Sequence, residues 1–249
     1  MTKGIDTAVI MAGGAGMRLR PYTTILPKPL MPLGDKPLLE IVIRQLAASG
    51  IRRVVLSVNH LAHIIRAVMA SIDFGEIEVT LVQEDQPLGT CGALALMRDL
   101  LPERFLVLNG DLLSDYPITH LIEEHVAAAV PLSIATKYKL ECVAYGVVER
   151  NGDGDLVDYL EKPSRRYELG IGLYALERSC IDAHLSGGGR ADMPDLIRSL
   201  LGRGEKVHAV PRECTWIDIG QPEDYVRAQE LHEQQRDWLV CADKPAPSA

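Results

Sequence analysis

Hydrophobic positions along the chain change period several times, and the changes mark out alternating strands and helices. Thr7 to Met11 is a short apolar run ending at a glycine cluster, the pattern of a buried strand feeding a loop. From Pro37 to Ser49 the apolar positions Leu38, Ile41, Val42 and Leu46 follow helical spacing, with Pro37 suited to the first turn and Gly50 to a carboxyl-terminal cap. Val54 to Val58 predicts the next strand, after which Leu61, Ile64, Ile65, Val68, Met69 and Ile72 form one helical stripe. A strand at Glu78 to Val82, a helix after Gly89 and a strand at Phe105 to Leu108 continue the alternation. Continuously apolar strands separated by helices predict a mainly parallel sheet covered on both faces. Past Pro131 come shorter pieces, Leu132 to Ala135, Tyr145 to Val148, Leu156 to Leu160 and Gly170 to Leu176, broken by turns such as Asn151-Gly152-Asp153-Gly154 and expected to extend the same sheet. A helix at Pro194 to Leu201, a strand at Val207 to Val210, the segment Trp216 to Gly220 and a helix from Pro222 follow. The expected fold is α/β: one Rossmann-like domain over residues 1–235 with a doubly wound, mostly parallel mixed sheet, then a polar tail over 236–249.

Charge narrows the function. A net charge of −8 leaves no basic stripe for nucleic acid, so any phosphate binding must be local. Apolar runs stop well short of the roughly 20 residues of a membrane span. The first residues lack the pattern of a secretory signal, which predicts a cytoplasmic protein. Cys91, Cys142, Cys180, Cys214 and Cys241 are widely spaced and never form a C-x-x-C pair, so reduced thiols are expected rather than a disulfide framework or zinc site.

In an open parallel sheet, ligands bind beyond the carboxyl ends of the strands, and three segments there carry unusual chemistry. After Met11 come Gly13, Gly14 and Gly16, which let backbone N–H groups approach an anion, and then the fixed charge of Arg18. The same glycines would equally serve a tight turn. Lys28 is clamped between Pro27 and Pro29, a rigidity that a solvated lysine does not need. Asp111 follows a buried strand and Asp218 stands between Ile217 and Ile219; such carboxylates need a partner, either a cation such as Mg²⁺ or a capped backbone N–H. Taken alone, Glu161-Lys162 reads as a surface ion pair, and His60 with His63 as helix-end histidines.

Gly13-Gly14-Ala15-Gly16-Met17-Arg18-Leu19 followed by Pro27-Lys28-Pro29-Leu30 resembles the signature of the sugar-1-phosphate nucleotidylyltransferases, the nucleotide-sugar pyrophosphorylases. Further matches follow in the family's order: Leu88-Gly89-Thr90 with Gly92-Ala93, Asn109-Gly110-Asp111, Tyr145-Gly146-Val147-Val148, Glu161-Lys162-Pro163 and Trp216-Ile217-Asp218-Ile219-Gly220. The resemblance implies transfer of a nucleotidyl group from a nucleoside triphosphate to a sugar 1-phosphate. It implies Arg18, Lys28 and Asp111 as catalytic residues, and Met11, Gly13, Gly14, Gly16, Gln83, Gly89 and Thr90 at the nucleotide, with Glu84 or Asp85 as alternative readers of the base. Gly110, Gly146, Glu161 and Lys162 would hold the sugar phosphate, Gly146 by letting the sugar lie against the backbone. Asp111 and Asp218 would bind Mg²⁺. Gly170 stands where relatives carry a sugar-contacting Asn.

The segments around Gly89 and Trp216 look most like the mannose- and heptose-1-phosphate guanylyltransferases, which favours GTP with a mannose-type or manno-heptose-type sugar 1-phosphate. Thymidylyl, uridylyl or cytidylyl transfer, with glucose 1-phosphate among the acceptors, is the alternative within the class. A catalytically silent sugar-nucleotide-binding regulatory subunit is the alternative outside it. The expected partners are the two substrates, with neither nucleic acid nor membrane, and a homo-oligomer is compatible with the sequence.

Overall fold

The computed structural model describes residues 4–234; the expected tail over 236–249, with Cys241, lies outside the described residues. In chain order the strands are β1 (Thr7–Met11), β2 (Pro32–Leu33), β3 (Lys36–Pro37), β4 (Arg53–Val58), β5 (Glu78–Gln83), β6 (Arg104–Asn109), β7 (Leu112–Ser114), β8 (Leu132–Cys142), β9 (Val147–Arg150), β10 (Leu156–Leu160), β11 (Ser164–Glu177), β12 (Val207–Pro211) and β13 (Trp216–Asp218). The helices are α1 (Leu38–Ala48), α2 (Ala62–Ser71), α3 (Leu94–Met97), α4 (Ile118–Ala128), α5 (Ser179–His184), α6 (Met193–Gly202) and α7 (Pro222–Gln234).

Seven strands form one sheet in the order β12-β8-β11-β6-β1-β4-β5. Helical crossovers return β1, β4, β5 and β6 in the same direction, as joining parallel neighbours requires, and β11 alone runs against its two partners. Side-chain alternation divides the core. Ala8 and Ile10 of β1 pack on the face covered by α1, α2 and α4, whereas Val9 packs on the face covered by α3, α5 and α6. Both faces being buried is why these strands read as unbroken apolar runs. Gly50, with φ 91°, ends α1 as expected: its N–H bonds the Ala47 carbonyl while Ile51 N–H reaches Leu46, and both Leu46 and Ile51 are fully buried. Pro37 sits one position outside the helix rather than in its first turn, paired with Pro32 in the β2–β3 ladder.

The expectation for the shorter pieces is met only in part. β8 and β11 join the main sheet, but β9 and β10 pair only with each other, forming a hairpin whose turn is closed by Asn151 Oδ1 accepting from the N–H groups of Asp153 (3.1 Å) and Asp155 (2.9 Å). All five residues of β10 are exposed, Leu156, Val157, Tyr159 and Leu160 included. High β-propensity made this segment a strand without specifying where it pairs.

His125 of α4 is buried against the sheet, with Nδ1 2.8 Å from Ser133 Oγ and Nε2 without a hydrogen-bond partner. Burial pushes its pKa down to about 4 from an ordinary 6.5. The unfolded chain therefore binds a proton that the native protein refuses, so this contribution is complete above pH 6.5 and is lost as pH falls toward 4. Between pH 7 and 5 the group should remove about 2 kcal/mol of stability. Urea unfolding at the two pH values should show a smaller acid loss in His125→Gln than in the wild type; equal losses would remove His125 as the cause.

Candidate active site

A cleft of about 230 Å³ opens beyond the carboxyl ends of β1 and β6, with Met11, Gly14, Gly16, Arg18, Lys28, Gly110, Asp111 and Gly220 on its walls. The glycine loop that forms one wall uses its glycines differently. Gly13 faces away: a Cβ there would lie 2.6 Å from Glu84 Oε1. Gly14 faces open space. Gly16 has φ 58° and starts the short 3₁₀ turn carrying Arg18; a Cβ on it would lie 2.9 Å from the Thr23 methyl, and the Thr23 hydroxyl donates to its carbonyl at 2.8 Å. Gly110 is needed for close approach, since its N–H bonds Met11 O at 2.9 Å and a Cβ would press on Met11 and Ala12.

Lys28 opens a 3₁₀ turn between the two prolines, and its ammonium forms an ion pair with Asp111. The lysine side chain is 12% exposed and the aspartate 25%, so the pair is largely shielded from water. Asp111 leaves β6 and β7 starts at the next residue; β7 pairs antiparallel with β13 so that Asp218 stands opposite Leu112. That register brings the two aspartates together. Ile217 and Ile219 point into the core while Asp218 turns outward, so its carboxylate is not sealed among apolar neighbours as the sequence suggested. Partial burial, and then the charge of Asp111, raise the Asp218 pKa; Lys28 and Arg18 oppose the rise.

This donor set fits a hard divalent cation. Mg²⁺ is held by one or two carboxylates, with phosphates and water completing its shell, and a carboxylate pair whose mutual charge is incompletely offset supplies that contribution. Among the described residues no cluster of three or more His, Cys, Asp and Glu is arranged for a metal, which sets this site apart from closed structural ones.

Several predicted residues lie elsewhere. Glu84 is buried, accepting from Ser57 Oγ (2.5 Å) and Leu88 N–H (2.9 Å), so its carboxylate is spent beneath the glycine loop instead of reading a base. Gln83 and Asp85 on either side of it are exposed. Gly89 and Thr90 are stitched to residues 191–193: a Cβ on Gly89 would lie 2.5 Å from Ala191 O, Thr90 N–H donates to Asp192 at 2.9 Å, and the Thr90 hydroxyl accepts from Met193 N–H at 2.8 Å. Gly146, Glu161 and Lys162 are exposed at the β9–β10 hairpin and its edge, outside the walls of the cleft. A Cβ on Gly146 would strike the Tyr159 ring, whose hydroxyl donates to Glu161 Oε2 at 2.9 Å, so that glycine first of all makes room for a tyrosine. Gly170 packs on β8, where a Cβ would lie 2.7 Å from Ile134 Cδ1. His60 is half-buried with Nε2 3.4 Å from Thr23 O, less solvated than expected.

Sequence reasoning missed Thr23, which shapes the turn at Gly16, and Asp224, which accepts from the N–H groups of Gly220 (3.2 Å) and Gln221 (2.9 Å). Asp224 had a readable signal: an acidic residue three positions after a helix-start residue closes a capping box. Thr23 had none.

Comparison with known proteins places this geometry in context. The family model "Nucleotidyl transferase" matches residues 7–235. A protein named mannose-1-phosphate guanylyltransferase 1 from Arabidopsis thaliana is 34% identical over 90% of this chain, and a mannose-1-phosphate guanyltransferase from Schizosaccharomyces pombe is 33% identical over 88%. The chain spans 64% and 62% of their respective lengths. Among solved structures, HddC from Yersinia pseudotuberculosis superposes with a TM-score of 0.71 at 26% identity, covering 90% of this chain and 98% of that one, and it has also been solved in complex with GMP-PN. A glycine-walled cleft at the strand ends, with lysine, arginine and paired aspartates around it, thus sits inside a match over nearly all the described residues: the chain belongs to the nucleotidyl transferase family.

Proposed function

We propose that the chain transfers a nucleotidyl group from a nucleoside triphosphate to a sugar 1-phosphate, with GTP and a mannose-type or manno-heptose-type sugar as the favoured pair. The observation that carries this reading is the Lys28–Asp111 pair with Asp218 and Arg18 around one cleft bordered by Gly14 and Gly16. The names of the relatives and the GMP-PN complex of the structural neighbour support guanine.

In this reaction a phosphate oxygen of the sugar 1-phosphate attacks the α-phosphorus of the nucleotide, forming a new P–O bond as the bond to the β-phosphate oxygen breaks and pyrophosphate leaves with its electron pair. The chain then has to position two anions and offset charge, with no covalent enzyme intermediate. Backbone at Gly14 and Gly16 lies where phosphates can approach closely. Lys28 and Arg18 supply fixed positive charge for the α-phosphate and the departing pyrophosphate. Asp111 and Asp218 would hold Mg²⁺, which when bound offsets phosphate charge. Lys162, carried on the hairpin edge, would meet the sugar phosphate and Glu161, oriented by Tyr159, the sugar hydroxyls.

Divalent dependence follows from the aspartate pair. Asp111→Asn and Asp218→Asn should each lower kcat roughly a hundredfold or more while circular dichroism stays unchanged. Full turnover by Asp111→Asn with both substrates saturating would overturn its metal role. The two lysines should separate kinetically: Lys28→Ala lowers kcat, whereas Lys162→Ala chiefly raises KM for the sugar phosphate. A Lys162→Ala enzyme with unchanged kcat and KM would sink that assignment. Pyrophosphate release measured across five nucleoside triphosphates and several sugar 1-phosphates should give the highest kcat/KM for GTP. Preference for dTTP or UTP with glucose 1-phosphate would replace the guanylyl reading and leave nucleotidyl transfer standing.

A further inference from the structure

Helix α7 holds two segments that flank the cleft, the one that leaves Asp218 and the one that leaves Lys28, through different polar side chains. At its start, Asp224 accepts from the N–H groups of Gly220 and Gln221, fixing the segment that leaves Asp218. One and two turns along, Tyr225 and Gln229 reach across to the chain that leaves Lys28. The Pro32 carbonyl accepts from the Tyr225 hydroxyl at 2.6 Å and from Gln229 Nε2 at 2.8 Å, while Gln229 Oε1 accepts from Gly34 N–H at 3.2 Å. One carboxamide thus ties β2 to the first residue of the tight turn that follows it, and its Nε2 also lies 2.9 Å from the Tyr225 hydroxyl. The Tyr225 ring stands against Tyr22, centroids 6.5 Å apart, in the stretch between Arg18 and Lys28.

From Pro32 back to Lys28 the chain has little freedom. Met31 N–H bonds the Lys28 carbonyl at 3.0 Å, Leu30 N–H bonds Pro27 O at 2.8 Å, and Pro27, Pro29 and Pro32 restrict φ. The position of Pro32 is therefore tied to that of Lys28 through a short, restrained stretch of backbone. Apolar contacts lock the same parts together: Leu19, Met31, Leu33, Ile217, Ile219 and Ala228 belong to one buried cluster, separate from the two that cover the sheet.

We propose that Tyr225 and Gln229 are positioning residues that act through the Pro32–Gly34 turn to hold Lys28 at its working distance from Asp111 and Asp218. The inference rests on the nucleotidyl-transfer reading for its catalytic consequence. Neither residue reaches the cleft, and neither was singled out by the sequence for a role of this kind. Replacing the clamp should leave substrate affinity nearly untouched, because the binding groups stay in place, and should slow the step in which Lys28 must meet developing charge.

The test compares Gln229→Met, which removes all three hydrogen bonds of the carboxamide at similar volume, Gln229→Glu, which keeps the acceptor for Gly34 but loses the donor to Pro32, and Tyr225→Phe. Arg227→Ala, on the exposed side of the same helix, is the control. Amide hydrogen exchange is followed over residues 30–34, and kcat and KM are measured for both substrates, well below each variant's unfolding temperature. Gln229→Met is expected to exchange faster over those residues and to lose about tenfold in kcat with each KM within roughly twofold. Gln229→Glu should fall as far, Tyr225→Phe a few-fold, and Arg227→Ala should match the wild type. A Gln229→Met enzyme that melts earlier yet turns over at the wild-type kcat would overturn the positioning role and leave only a structural one. Absence of wild-type transfer with every substrate pair is a different result, and would overturn the functional reading itself.

Discussion

Two carboxylates held side by side set the terms for what surrounds them. Their proximity is enforced by backbone: Asp111 precedes β7, and the antiparallel register of β7 with β13 puts Asp218 opposite the very next residue. Partial burial, and then repulsion by Asp111, raise the Asp218 pKa, with Lys28 and Arg18 offsetting part of the cost. A largely buried ion pair carries a desolvation cost that offsets much of its attraction, and paired carboxylates subtract from stability. The arrangement makes physical sense for a ligand that brings positive charge and phosphates together.

Holding such a group in place falls to apolar neighbours one to three positions away. Leu19 follows Arg18, Leu113 lies two residues after Asp111, and Ile217 and Ile219 flank Asp218; all four are buried in the same small cluster as Met31, three residues after Lys28. Strand alternation and short turns send each charged side chain toward the cleft and its neighbour inward. This cluster is distinct from the two that cover the faces of the sheet. Geometry at the cleft is thereby governed by a local core that includes α7, while the seven-stranded sheet provides the platform below it.

That division also accounts for what could be read from sequence. The β1–α1–β4–α2–β5 succession was legible because strands buried on both faces are unbroken apolar runs and the helices between them carry a stripe. Lys28, Asp111 and Asp218 were legible because their chemistry conflicts with their apolar or rigid surroundings. The β9–β10 hairpin was not, since Leu156, Val157, Tyr159 and Leu160 look like a buried strand whether or not another strand lies beside them. Glycines were read as a group, although Gly13 answers to Glu84, 71 positions later by number, and Gly14 to open space. The contacts of Tyr225 and Gln229 span 193 to 197 residues and leave no local trace.

The burial of Glu84 bears on how a base can be discriminated. Its two oxygens are engaged by Ser57 and the Leu88 N–H, and the main-chain N–H groups of Thr90, Cys91 and Gly92 are taken by Asp192 and Ala191. Each main-chain N–H has a single proton to donate and these three are already spent, while the Glu84 carboxylate is buried away from the surface. Around this end of β5, Gln83 and Asp85 are exposed. An amide offers one donor face and one acceptor and so accommodates several bases, whereas a carboxylate offers only acceptors. Guanine presents an N–H and an amino group on one edge and is the base that a carboxylate can match twice. In the proposed reading, Gln83 and Asp85 are the candidates to meet the base at this end of β5, while Glu84 is confined beneath Gly13.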